Sequence, residues 1–416
     1  MTLEEANQKK GLGKWMAYSK MAGPAWTAIA MNIGGSTVAN AGSLASRTGF
    51  TFLWALLPAT FVIWIVCIMI TKVTLKTGLG PISVARTHLG EWAAWIVGIS
   101  VFIVNAVFHT IQYALVGNIL RTLFGVPTQA GAIIGFLFVV FVVLNPAKGD
   151  KKIHVIQQIM KWMVAVLMAS FVLVLFLVPI NWAGAARGFI PSIKGTSQEM
   201  VLLAGLMGAG IAINVPCLGA YAARQSKWKH DRHPLSVFEI TYTNFWFFLV
   251  QVIIIIAVGS VLYPQGVFIT GAGGMAETFR PFAGNFSVVL LSLGLLGSVL
   301  STMAMQVLMC GYLITDLFKW EVDLNSNRFK VSETIVTFIG LIGVLSGFNA
   351  FSISTYGAGF NLTFFPIVSL LMLIVGNKKD VMGEDKMTGK FSVAVVIAIL
   401  LSLLATINYW IPVLSG

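Results

Sequence analysis

Apolar residues in this chain run in long blocks, and polar residues collect in short connections between the blocks. A helix needs about 20 apolar residues to cross the roughly 30 Å hydrocarbon layer, and the blocks lack the period-2 alternation of a membrane barrel strand. The pattern predicts eleven spans, near 21–46, 50–72, 91–120, 128–146, 154–180, 198–223, 238–263, 287–316, 332–350, 352–376 and 391–414. The longest connections, near 264–286 and 317–331, have room for short helices but not for a second domain.

One segment recurs. Ala22 to Ile33 (AGPAWTAIAMNI) returns loosely as Ala204 to Val215 (AGLMGAGIAINV), with identities at Ala22/Ala204, Gly23/Gly205, Ile29/Ile211, Ala30/Ala212 and Asn32/Asn214. The offset makes spans one to five and six to ten two copies of a five-helix unit, and an odd number of crossings inverts the second copy. The predicted organisation is an N-terminal segment 1–20, a first repeat 21–180, a second repeat 198–376 and an additional helix 391–414. Each copy runs into residues that interrupt a helix, Gly34-Gly35-Ser36-Thr37 in one and Asn214 to Cys217, with Pro216, in the other. Matched broken helices at membrane depth are tolerated where they line a cavity, and they point to a transporter's binding site. Asn32, Gly34, Gly35, Ser36 and Thr37 from the first break, and Ala212, Asn214 and Cys217 from the second, are the expected substrate-binding residues. Asn32 and Asn214 are expected to face the solute; the plainer alternative is that each braces its own break. For the glycines the plainer alternative is close helix packing.

Composition fixes the environment. With 57% hydrophobic and 10% charged residues and a mean hydropathy of +0.87, the chain is an integral membrane protein, because a soluble globule needs more polar surface. Its formal charge of +12 reflects topology. Apart from Arg47, Arg121, Lys161, Arg187, Lys194 and Arg280, every Lys and Arg falls in the N-terminal segment or in every second connection. The positive-inside tendency then places the N-terminus in the cytoplasm of a plasma (inner) membrane protein and the C-terminus outside. The expected partners are the lipid bilayer and a small-molecule substrate, and nucleic acid has no place. The first twenty residues are too polar for a cleavable signal peptide. Cys67, Cys217 and Cys310 fall in three separate spans without metal-ligand spacing, as buried apolar thiols would.

None of the fifteen acidic residues lies in the middle of a predicted span. A hard divalent cation held in low dielectric without a carboxylate carries a large desolvation cost, so no metal site is expected at the breaks. Cys217, Met31 and Met305 are the one soft-metal arrangement left, although methionines in apolar helices usually pack. His109 lies deep in the third span, on one helical face with Asn105 and Gln112. An ionisable group there is a functional candidate by default, and the three are assigned to proton coupling, the alternative being a hydrogen-bonded core histidine. No cofactor is expected beyond the proton as coupling ion.

Several stretches together resemble the NRAMP family of proton-coupled divalent-metal transporters. They are Gly23-Pro24-Ala25-Trp26, Gly49-Phe50-Thr51-Phe52-Leu53-Trp54, Leu300 to Met309, Pro366 and Lys379-Asp380-Val381-Met382-Gly383. The resemblance spans nearly the whole chain and implies an all-α LeuT-type 5+5 inverted-repeat fold, with substrate between broken helices 1 and 6. Gln306, in the eighth-span match, joins the expected substrate-binding set. The family's metal ligands do not carry over. Its D-P-G-N corresponds to Gly34-Gly35-Ser36-Thr37, and its M-P-H to Ala212-Ile213-Asn214, or with a shift to Val215-Pro216-Cys217. Where the family has an acidic pair in its third span, this chain has His109 and Gln112. Even the magnesium-transporting relatives keep the first-span Asp, so the chain resembles a more distant branch.

The expected function is a secondary active transporter, proton-coupled through His109, moving a small carboxylate-bearing organic solute. The alternatives are a divalent-metal proton symporter and a non-transporting membrane sensor. No nucleophile–base pair or phosphate-binding loop points to an enzyme.

Overall fold

The computed structural model describes residues 3–415 apart from 22, 145–149, 193–194, 346, 348 and 388, and side chains over the same residues apart from 150–161 and 415. Among the described residues the chain is helical, with eleven long segments of which the first and sixth are broken. These are α1a (Pro24–Asn32) and α1b (Gly35–Thr48), α2 (Leu56–Thr77), α3 (Glu91–Phe124), α4 (Thr128–Phe138), α5 (Asp150–Leu177), α6a (Ser197–Gly210) and α6b (Asn214–Gln225), α7 (His233–Val261), α8 (Ser287–Leu317), α9 (Asn327–Leu345), α10 (Ala350–Asn377) and α11 (Lys390–Ser415). All eleven predicted spans have their helix. Seven described stretches are apolar and long enough to cross a bilayer, and Thr128–Val143 and Trp162–Leu177 are shorter apolar ones. Ala22 of the repeat, Lys194 and the Lys161 side chain lie outside the described residues.

The halves of the broken helices pack crosswise. On the face that carries the N-terminal segment, α1a lies against α6b, with α2 and α7 beside them; on the opposite face α1b lies against α6a, with α7 and α10 beside them. Helix α3 runs through the middle against α4, α8, α9 and α10. Helix α11 packs on α10, α6a and α2, and turns an exposed stripe that includes Val396, Ile397, Leu400, Leu404 and Ile411 outward, as lipid requires. A lysine and a histidine at the N-terminal face, Lys76 and His230, converge on Asp385 and tie the end of α2 to the α10–α11 connection. The hydrogen bond from Lys76 chiefly holds the Asp385 carboxyl below the usual carboxylate value.

The breaks differ from the predicted ones in place. In α1 the helix stops at Ile33, whose N–H bonds to Ile29 O, and restarts at Gly35, so Ser36 and Thr37 are already helical. In α6 the interruption is Ile211 to Ile213, three residues before the predicted one, and Asn214, Pro216 and Cys217 form the first turns of α6b. The reason lies in the proline: a first-turn residue has no intrahelical N–H bond to lose, so Pro216 suits the start of a helix better than its end.

The glycine pair serves packing as well as the break. Gly34 has φ −101°, which any residue can adopt, but a Cβ there would lie 2.6 Å from Thr302 Oγ1. A Cβ on Gly35 would lie 2.3 Å from Val299 Cγ2 and 3.0 Å from Leu115 Cδ1. Both glycines therefore set how closely α1b approaches α8 and α3. Overpacking of this kind costs about 1–3 kcal/mol. Gly35→Ala is expected to lower the thermal unfolding midpoint of the detergent-purified protein clearly, and Gly273→Ala, whose added Cβ meets Thr122 at 3.6 Å, is expected to leave it nearly unchanged.

Candidate functional site

The two breaks free backbone groups in a region without water, and polar side chains take them up. Thr37 Oγ1 donates to Asn32 O at 2.6 Å, and Ser298 Oγ of α8 donates to Ile33 O at 3.0 Å. Across the pair, Asn32 Nδ2 donates to Gly210 O at 3.4 Å, so Asn32 braces the other break rather than its own. Asn361 of α10 donates to Gly208 O at 2.9 Å and accepts from Ile213 N at 3.4 Å, bridging the α6 interruption. Ala212 O, inside the interruption, accepts from Val215 N.

Asn214 starts a hydrogen-bonded path toward His109. Its Nδ2 donates to Asn105 Oδ1 at 3.3 Å and approaches Met31 Sδ at 3.8 Å. Asn105 Nδ2 donates to Gln306 O at 2.8 Å, and His109 Nδ1 lies 3.1 Å from Gln306 Oε1. An amide oxygen only accepts, so Nδ1 carries the hydrogen of this contact. His109 Nε2 then carries a lone pair in the neutral ring. The ring stands edge-to-face with Tyr113, and a Cβ on Gly340 would lie 2.9 Å from His109 Cδ2, so the histidine sits toward α9, beyond the breaks. Gln112 Nε2 donates to Ser36 Oγ at 3.5 Å.

Of the twelve expected residues, Asn32, Gly34, Gly35, Ser36, Thr37, Ala212, Asn214, Asn105, Gln112, Gln306 and His109 belong to this connected region. Cys217 does not join it. It lies one turn into α6b, within electrostatic reach of Cys67 and Asp316, while Met31 is at Asn214, so the soft-metal arrangement does not assemble. Among the described residues no group of three or more His, Cys, Asp or Glu side chains could hold a metal ion. Three buried atoms of the region have no hydrogen-bond partner: Asn214 Oδ1, Gln112 Oε1 and His109 Nε2. All three are acceptors in the neutral site. The first amides of α1b, with the positive end of its dipole, supply the complementary donors.

Sequence reasoning missed the bracing residues. Ser298, Thr302 and Gln306 recur every four residues and form one face of α8, a signal present in the sequence. It also missed the use of the acids. Glu239 and Asp316 are the buried carboxylates among the described residues, 1% and 3% exposed. Glu239 accepts from the backbone N–H groups of Gly23 at 2.5 Å and Ala25 at 3.0 Å, capping α1a. Asp316 accepts from Tyr221 OH of α6b at 2.6 Å and from Ser83, while Arg86 holds its backbone carbonyl at 3.0 Å. Each buried acid thus ties down the N-terminal-face half of one broken helix.

A sequence model described as "Natural resistance-associated macrophage protein-like" matches residues 25–412. The chain belongs to this family. The NRAMP-like chain is 23% identical over 385 residues to the divalent metal cation transporter MntH of Caldanaerobacter subterraneus subsp. tengcongensis, covering 88% of this chain and 87% of the relative. The MntH of Vibrio campbellii is 23% identical over 402 residues, covering 94% and 92%. Among solved structures, a mutant manganese transporter of Eremococcus coleocola superposes with a TM-score of 0.80 at 14% identity, over 97% of this chain and 88% of that one. MhsT in complex with L-phenylalanine superposes with a TM-score of 0.62 at 13% identity, over 94% and 97%. The resemblance and the LeuT-type fold expected from the sequence hold: this is an NRAMP-like integral membrane transporter.

In this NRAMP-like protein Asn361 carries two backbone partners at once, and leaving a buried backbone group unpaired costs about 1–3 kcal/mol. Asn361→Ala is expected to destabilise the folded protein by about 2 kcal/mol or more, read as a lower unfolding midpoint. A midpoint within error of wild type contradicts the bracing role.

Proposed function

We propose that the protein is a proton-coupled secondary transporter for a small organic solute carrying hydrogen-bond donors and a carboxylate, with its N-terminus in the cytoplasm of the inner membrane. The observation that carries this reading is the neutral amide and hydroxyl lining of the breaks, with both buried acids engaged elsewhere. The free acceptors of Asn214 and Gln112 suit N–H or O–H groups of a solute, and the N-terminal amides of α1b suit its carboxylate. Amino acids and related organic acids have both. His109 is the proton carrier in this reading. It is wholly buried, off the break, and joined to Asn214 through Gln306 and Asn105. The two repeats supply the alternating access.

A second reading is divalent-cation proton symport. The comparisons favour it over an organic solute, since the relatives named above are divalent metal cation transporters. Against it stands the chemistry of the site. A dication between neutral amides, without the carboxylate that hard cations take as ligand, has no charge to offset its desolvation.

Uptake into proteoliposomes under an inward proton gradient separates the two. Radiolabelled amino acids or organic acids are expected to accumulate and Mn²⁺ is not; accumulation of Mn²⁺ with no organic solute moved overturns the proposal. His109→Ala is expected to abolish gradient-driven uptake while sparing solute exchange, and unchanged gradient coupling removes the role given to His109.

A further inference from the structure

On the face opposite the N-terminal segment, a cavity of about 570 Å³ opens between α1b, α6a, α10 and the connection after α7. That volume lies within the range of small-molecule sites. Among the described residues that line it, Arg47 alone carries a charge; its neighbours there include Ser43, Gln198, Asn349, Ser352 and Thr355. The guanidinium is half-buried and held in place, with Nη1 donating to Gln198 Oε1 at 3.3 Å and Cζ 4.5 Å from the centre of the Phe268 ring. Neither partner is anionic. Glu199, next to Gln198, is turned away and accepts from Thr196 N at 2.7 Å.

A polar stripe leads inward from this cavity. Ser36, Asn40, Ser43 and Arg47 are spaced by four, three and four residues and share one face of α1b. Ser43 and Thr355 form the floor of the cavity. Beneath them Asn40 donates to Ser354 Oγ at 2.9 Å and accepts from Thr355 Oγ1 at 3.1 Å. Ser354 Oγ in turn donates to Ser36 O at 3.5 Å, and Ser36 meets Gln112. The stripe ends at the break in α1.

We infer that this cavity is an outer docking site for the solute's carboxylate, with Arg47 as its anion-binding group and the Ser43–Asn40–Ser36 stripe as the entry route. The inference rests on the organic-solute reading and deepens it. A guanidinium recognises a carboxylate through paired N–H donors. It also sets the sign of the field at the mouth, which raises the local concentration of anions and lowers that of cations. A divalent cation entering here meets a positive charge and, along the stripe, only neutral oxygens and amides. The hydrogen bonds of Asn40 close the route below the docking site in this conformation.

Two measurements test the inference separately from the solute class. In Ser352→Cys, on the exposed rim of the cavity, the rate of modification by the anionic sulfonatoethyl methanethiosulfonate is compared with that by the cationic trimethylammonioethyl reagent in low salt. The anionic reagent is expected to react faster, with the ratio falling about tenfold in the added Arg47→Gln background and staying near wild type with Arg47→Lys. A ratio that ignores all changes at Arg47 overturns the inference. In proteoliposomes, Arg47→Gln is expected to raise KM for a transported radiolabelled amino acid about tenfold with Vmax nearly unchanged, and Arg47→Lys to recover most of the loss. Uptake of the amino acid with an unchanged KM overturns the docking role and leaves the organic-solute reading standing. Uptake of Mn²⁺ in place of every organic solute, with the labelling ratio still Arg47-dependent, overturns the solute class instead.

Discussion

A backbone group freed inside a bilayer has no water to turn to, and the rest of this structure follows from how that requirement is met at two places. Each break leaves N–H and C=O groups that only the protein can satisfy. Thr37, Ser298, Asn32 and Asn361 satisfy four of them from α1b, α8, α1a and α10. Because Asn32 reaches Gly210 and Asn214 reaches Met31 and Asn105, the two asparagines of the repeat lock the broken helices to each other and to α3. The polar groups remaining after this bracing, Asn214 Oδ1, Gln112 Oε1 and His109 Nε2, define what the site can offer a solute.

Charge is distributed by the same economy. The buried carboxylates stand at the N-terminal face, where Glu239 finds the first amides of α1a and Asp316 finds Tyr221 and Ser83. The middle of the bundle is neutral. Arg47, on the far face, is the charged group of the outer cavity. An NRAMP-like fold at 14% identity to a manganese transporter shows how far side chains can change while helices stay in place. Cargo belongs to the site and not to the fold.

The fold was legible because apolar blocks of membrane length leave few alternatives, and because the pairing of Asn32 with Asn214 marks the inverted repeat. The break in α6 was misplaced because Pro216 reads equally as the end of one helix and the start of the next, and only the neighbouring Ile211 to Ile213 geometry decides. Cys217 was drawn into the site by that error. The bracing role of Asn361, and the reach of Asn32 across to Gly210, depend on contacts more than 150 residues apart in sequence and have no local signature. The stripe of Ser298, Thr302 and Gln306 had one, in its four-residue spacing.

The central claim is that a neutral polar site between the broken helices has replaced the charged one a divalent cation needs. Calorimetric titration of the detergent-purified protein with Mn²⁺, Cd²⁺ and Mg²⁺ tests it most directly. The account predicts no saturable heat with any of the three; stoichiometric binding of Mn²⁺ that is lost in Asn214→Ala contradicts it.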